Sequence, residues 1–127
     1  MPDVKRILVV DDEPGICLGF AAALEGWGYS VVTAFNGKEA LALVKKQAFD
    51  AIFLDLMMPK MDGFETLKNL RADTVTLHLP VVMITAKADL PDKIKAAELY
   101  VDHYITKPVT LEMLKEILDK VFPESNK

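Results

Sequence analysis

The chain has 127 residues, 51% hydrophobic and 27% charged, with a net charge of −4. That length and balance fit one folded domain with a real core and exclude a disordered tail. The acidic balance and lack of a basic stripe argue against nucleic acid as a direct partner, and no apolar run approaches the ~20 residues of a membrane helix.

Residues 5–10 (KRILVV) form a compact β-branched run that stops at Asp11-Asp12. Pro14 suits the first turn of a helix, with Asp12 or Glu13 near its cap. Ile16, Phe20, Ala23 and Leu24 recur at three-to-four spacing, and Gly26-Trp27-Gly28 ends the helix. Residues 30–34 (SVVTA) predict a second strand, Asn36-Gly37 a turn, and Ala40, Leu41 and Val44 one face of a second helix. The third strand lies in 49–63 (FDAIFLDLMMPKMDG), where the apolar run 51–54 ends in Asp55. A short run apolar on both faces reads as a strand buried on both sides, as in a parallel sheet.

Phe64, Leu67 and Leu70 mark a third helix, and a polar loop with Asp73, Thr74 and Thr76 leads to Pro80. Residues 81–85 (VVMIT) predict the fourth strand, ending in a hydroxyl. Pro91 opens a short fourth helix with Ile94, Ala97 and Glu98. Residues 104–106 form a short fifth strand before Lys107-Pro108, and Thr110 caps a fifth helix bearing Leu111, Leu114, Leu118 and Val121. Residues 1–127 are thus expected to be a single domain, with its core at about 5–121. The one cysteine, Cys17, permits no internal disulfide, and the N-terminus is wrong for a secretory signal. Both fit a cytoplasmic location.

Five strands alternating with five helices predict an α/β fold. Strands joined through helices run parallel, and right-handed crossovers favour a three-layer, doubly wound five-stranded parallel sheet. Strands one, three, four and five then bring Asp11-Asp12, Asp55, Thr85 and Lys107 to one edge, where such sheets bind ligands. Taken alone, Asp55 reads first as a cap, as does either Asp11 or Asp12, and Lys107 and Thr85 read as strand-end residues.

Together these groups are chemically coherent. Two carboxylates ~4 Å apart repel by about 4 kcal/mol at an effective dielectric of ~20, which calls for counter-charge. Lys107 can neutralise one. A divalent cation can take the rest; an oxygen-only set fits Mg²⁺ and argues against zinc. An ionised aspartate can act as a nucleophile toward phosphorus, with positive charge and a hydroxyl on the equatorial oxygens. Asp55, Mg²⁺, Lys107 and Thr85 meet that need. With no general base for water and no glycine-rich phosphate cradle, the inferred chemistry is self-phosphorylation from a donor rather than enzymatic turnover.

Strand-DD, strand-D-with-MMPKMDG, strand-T-A and strand-K-P, in this order, resemble a response-regulator receiver domain of two-component signalling. The resemblance covers about residues 5–121. It implies the flavodoxin-like strand order 2-1-3-4-5 and a switch driven by phosphorylation. By the same resemblance Asp55 is the phosphoacceptor, charged by a sensor histidine kinase or a phosphotransfer protein. Asp11, Asp12, Asp55 and the Met57 backbone carbonyl form the Mg²⁺ site. Thr85 and Lys107 bind the phosphoryl group, and Tyr104 is the aromatic switch that follows Thr85. The Lys107-Pro108 bond is cis in the family. Met57 and Lys87 occupy the positions that tune phosphoryl lifetime. The readout surface, and a possible homodimer contact, is the face of the fourth helix, fifth strand and fifth helix. Where the family often has glycine-alanine-aspartate after the fourth helix, this chain has Tyr100-Val101-Asp102. Tyr100 removes an easy helix stop and is expected to add an apolar contact on the signalling face.

Two other classes compete. One is an interaction module on the same fold that needs no phosphorylation. The other is an aspartate-nucleophile phosphohydrolase, which requires a second aspartate where Met57 stands. A flavin carrier would need a phosphate loop where Asp11-Asp12-Glu13 repels phosphate. The remaining conspicuous residues have plain readings: Cys17 a small helical hydrophobe, His78 and His103 surface or loop residues, Trp27 a turn anchor, and Lys93, Lys95, Lys115 and Lys120 solvated helix faces.

Overall fold

The computed structural model describes residues 4–56, 63–86 and 100–123. Strands β1 (Arg6–Val10), β2 (Ser30–Ala34), β3 (Ala51–Asp55), β4 (Val81–Thr85) and β5 (His103–Thr106) form one sheet in the order β2-β1-β3-β4-β5, parallel at every pairing. Helices α1 (Pro14–Gly26), α2 (Gly37–Lys46), α3 (Gly63–Ala72) and a last helix (Leu111–Val121) cover it. The helix expected from Pro91, with Lys93 and Lys95, lies outside the described residues.

The pleat splits the core by alternation. Ile7, Val9, Ala51, Phe53, Val82, Ile84 and Ile105 pack with Phe20, Leu24, Leu114, Ile117 and Leu118 of α1 and the last helix. Leu8, Val10, Ile52, Leu54, Val81 and Met83 pack with Ala40, Leu67 and Leu70 of α2 and α3. Every residue of β3 and β4 is buried. Double coverage explains their unbroken apolar runs.

Local chemistry sets the helix ends. Pro14 opens α1 without a side-chain cap at Glu13; the Glu13 N–H instead donates to the Asp11 carboxylate at 3.0 Å. After α1, Gly28 takes φ 97°, a left-handed conformation that favours glycine. Asn36 is a cap rather than only a turn residue: it accepts from the Glu39 N–H at 2.9 Å, while its amide donates to the Glu39 carboxylate at 2.8 Å. Thr110 caps the last helix through the Met113 N–H at 3.1 Å.

Some local expectations change. β5 begins one residue earlier than expected, so His103 is a strand residue paired with Val82 rather than part of a loop. The last helix buries Leu114, Ile117 and Leu118, whereas Leu111 is 63% exposed. Its first residue therefore lies outside the apolar seam, and Ile117 takes a core place. Lys115 is an exposed helix-face lysine that also sits over the Trp27 ring at 5.0 Å, linking the end of α1 to the last helix.

Candidate functional site at the carboxyl edge of the sheet

The strand order places the ends of β1 and β3 side by side at the sheet's centre, with β4 and β5 beyond them. Asp11 follows β1, with its N–H donating to the Ala34 carbonyl at 3.1 Å. Asp55 is the last residue of β3, opposite Ile84. One carboxylate oxygen from each of Asp11, Asp12 and Asp55 lies within 4.8 Å of the others. Asp11 is fully buried and Asp55 is 5% exposed, so water screens their repulsion poorly.

Lys107 supplies the counter-charge. Its Nζ lies 3.1 Å from Asp11 Oδ2 and 3.4 Å from Asp55 Oδ2. Burial lowers the affinity of this amine for its proton, but the hydrogen-bonding and charge of Asp11 and Asp55 outweigh that and raise the pKa overall. Lys107 is therefore a permanent ammonium at neutral pH. Among the described residues, one cation faces three carboxylates, which leaves negative charge over. Asp11 Oδ2 is buried and, despite its ion-pair contact with Lys107, receives no well-directed hydrogen bond. A buried carboxylate oxygen in that state, in an all-oxygen donor set, fits a small hard cation.

Thr85, 3% exposed, ends β4, and its hydroxyl makes a long 3.5 Å hydrogen bond to the Ile105 carbonyl. Lys107 is anchored beside it, its N–H donating to the Thr85 carbonyl at 2.7 Å. The Lys107-Pro108 bond is cis. Tyr104 is half exposed on β5, with Met83 as its register partner. The fold thus gathers Asp11, Asp12, Asp55, Thr85 and Lys107. Met57 and Lys87 lie outside the described residues.

Cys17 sits beneath the cluster. Its thiol donates to the Asp11 carbonyl at 3.2 Å, and burial, ahead of the nearby aspartates, pushes its pKa up to about 11. Cys17 is thus a small, fully buried core residue whose thiol keeps its proton at neutral pH.

Two structural residues were not singled out from the sequence. Gly63 begins α3 directly against β3, its N–H donating to the Leu56 carbonyl at 2.8 Å. A Cβ there would collide with the Asp55 carbonyl oxygen and come within 2.6 Å of the Leu56 Cα. The glycine at position 63 is needed for this close approach. Arg71, in the last turn of α3, donates to the carbonyls of Leu79 at 2.7 Å, Tyr100 at 2.8 Å and Leu77 at 3.0 Å, and pairs with Asp102 at 3.3 Å. A lone arginine in a helical last turn carries no sequence signal for such contacts. Tyr100 also packs edge-on against Phe64 of α3, with ring centroids 6.4 Å apart.

A doubly wound sheet with this acidic, lysine-bearing edge defines the class of response-regulator receivers. The family model of the response regulator receiver domain matches residues 7–119, and the chain belongs to that family. It is 43% identical over 118 residues to chemotaxis protein CheY-3 of Vibrio cholerae, covering 92% of this chain and 91% of that one. It is 46% identical over 104 residues to the alkaline phosphatase synthesis transcriptional regulatory protein PhoP of Bacillus subtilis, covering 82% of this chain and 42% of that one. The chain spans less than half the length of several curated transcriptional regulators it matches. The structure of V. cholerae chemotaxis protein CheY4 superposes with a TM-score of 0.86 at 32% identity, covering 94% of this chain and 99% of that one. Membership in the receiver family carries a role in two-component signalling. Among the described residues, no helix is long and apolar enough to cross a membrane.

Proposed function

We propose that this chain is a single receiver unit working as a cytoplasmic, phosphorylation-dependent switch, with Asp55 as the phosphoacceptor. The supporting observation is the Lys107 ammonium lying against both Asp11 and Asp55 at the edge where β1 and β3 end. An Asp55 carboxylate oxygen attacks the phosphorus of a phosphohistidine on a sensor kinase or phosphotransfer protein. The new O–P bond forms as the P–N bond breaks, and the imidazole leaves with the bonding pair. Asp11, Asp12 and Asp55 would hold Mg²⁺, with the Met57 carbonyl as a further ligand. The ion supplies positive charge that offsets the build-up on the phosphoryl oxygens. Lys107 pairs with one phosphoryl oxygen and the Thr85 hydroxyl donates to another. The chain turns over no external substrate.

To reach a phosphoryl oxygen, the Thr85 hydroxyl gives up its long bond to the Ile105 carbonyl, and Tyr104 turns inward behind it. The readout face comprises the expected fourth helix, β5 and the last helix, and it offers a route to a partner, an output domain or a second copy. Phosphorylation shifts this face between inactive and active states, and moving that equilibrium from 1:99 to 99:1 requires about 5.5 kcal/mol of differential stabilisation. Met57 and Lys87 would set how long the phosphoryl group survives.

Mass spectrometry after incubation with acetyl phosphate and Mg²⁺ tests this reading. One added phosphoryl group is expected on the wild-type chain and none on Asp55→Asn. An unlabelled wild type, or equal labelling of the variant, overturns it.

A further inference from the structure

β5 carries Tyr104 and leads straight into Lys107, yet it is the shortest strand of the sheet. It has four residues, lies at an edge with β4 as its neighbour, and buries only Ile105. Short strands with few buried side chains specify their register weakly. A slip of one residue shifts the chain by ~3.3 Å and reverses the faces. Such a slip would carry the Lys107 ammonium away from Asp11 and Asp55, where it now stands at 3.1 and 3.4 Å.

At the entry end of β5, a separate set of contacts opposes slippage. The Asp102 carboxylate accepts from the Val81 N–H at 2.8 Å, and the Asp102 N–H donates to the Val81 carbonyl at 3.0 Å. Asp102 thereby grips both backbone groups of the first residue of β4. Arg71 holds Asp102 in turn, and its Nε–H donates to the Tyr100 carbonyl at 2.8 Å. The same guanidinium binds the Leu77 and Leu79 carbonyls just ahead of β4. Its planar fork spans the approaches to both strands, a geometry lysine lacks.

We propose that Arg71 is a positioning residue for Lys107: with Asp102 it locks the register of β5 against β4 and so holds the ammonium between Asp11 and Asp55. This rests on the functional reading only for what Lys107 does. The lock itself is a statement about backbone pairing and is measured without phosphorylation.

Two measurements test it together. Amide hydrogen exchange on the intact chain should accelerate by roughly tenfold at Ile105 and Lys107 in Arg71→Gln, with β1 amides changed far less. The initial rate of labelling by acetyl phosphate and Mg²⁺ should fall roughly tenfold in Arg71→Gln. That loss should vanish in a Lys107→Ala background, because the lock then has no ammonium to place. Arg71→Lys keeps the charge without the fork and should give a smaller change in the same direction; it carries the test if Arg71→Gln does not fold. Equal acceleration at β1 and β5 would mean general loosening and overturn the proposal. So would an unchanged labelling rate, or an equal loss with and without Lys107. Should wild type take no phosphate, the functional reading fails while the exchange comparison still decides the lock.

Discussion

Lys107 and Arg71 stand at opposite ends of the same two strands, and each sits in a cluster of oxygens. They differ in how completely those oxygens are neutralised. Arg71 meets neutral carbonyls and one carboxylate, Asp102, that is itself half exposed and bonded to Val81. Lys107 meets two carboxylates, with a third close by, and a buried Asp11 oxygen still lacks a directed hydrogen bond. The saturated cluster has no vacancy for a ligand and contributes to the fold. The unsaturated one keeps negative charge in reserve for a ligand, at a cost in stability.

The largest effect that would break this contrast is at Asp55. Asp55→Asn should abolish labelling by acetyl phosphate while raising stability in Mg²⁺-free urea titrations by up to about 1 kcal/mol, since it removes one repelling charge. A loss of stability would mean that the cluster is not held under repulsion. Next comes Arg71→Ala, expected to cost about 2 kcal/mol in urea unfolding because the partly exposed carbonyls of Leu77, Leu79 and Tyr100 lose a charged donor and Asp102 its partner. Added Mg²⁺ should not restore it. Lys107→Met should also lose stability without metal, and millimolar Mg²⁺ should recover most of that loss by binding the folded state. The opposite response to Mg²⁺ in these two variants is the sharpest form of the comparison.

Gly63→Ala should cost about 2 kcal/mol and slow labelling, because its new methyl pushes on the Asp55 carbonyl oxygen. Unchanged labelling would separate α3 from the site. The smallest effect concerns alkaline pH. Lys107 keeps its proton to higher pH in the folded chain than the ordinary value of 10.5. Its pairing therefore stabilises fully below that value, and the stabilisation is lost as pH rises through the raised folded pKa. Lys107 is 21% exposed, so solvent screening keeps the change modest. The urea-unfolding difference between wild type and Lys107→Met should start to shrink as pH passes 10.5 and vanish only above the raised folded pKa.

Much of the site was legible because its signals are local. An unbroken run of four apolar residues can be satisfied only by burial on both faces, and the polar residue ending it must emerge at the sheet's edge. Asp55 and Thr85 were found that way, and Asp11 follows a run of the same kind, whereas Lys107 follows a strand that buries only Ile105. Asp55 read alone as a cap; the other strand ends changed its meaning. Tyr100, expected to add an apolar contact on the signalling face, packs its ring on Phe64 of α3, and its carbonyl takes a hydrogen bond from Arg71, a contact the sequence does not signal. Leu111 and Ile117 exchanged roles because either pattern of leucines and isoleucine satisfies a helical period, and only the packed sheet selects the seam.

By itself, then, the sequence determined the layered α/β fold, the alternation of its elements and the residue types delivered to the carboxyl edge. These follow from periodicity and burial within runs of a few residues. Only the tertiary structure decided which charges meet. Lys107 reaches Asp55 across 52 positions, and Arg71 reaches Asp102 across 31. Such contacts depend on strand register and helix rotation, where a shift of one residue moves a side chain by ~3.3 Å. The sheet that brings the two cations to opposite ends of β4 and β5 left one cluster saturated and the other short of positive charge.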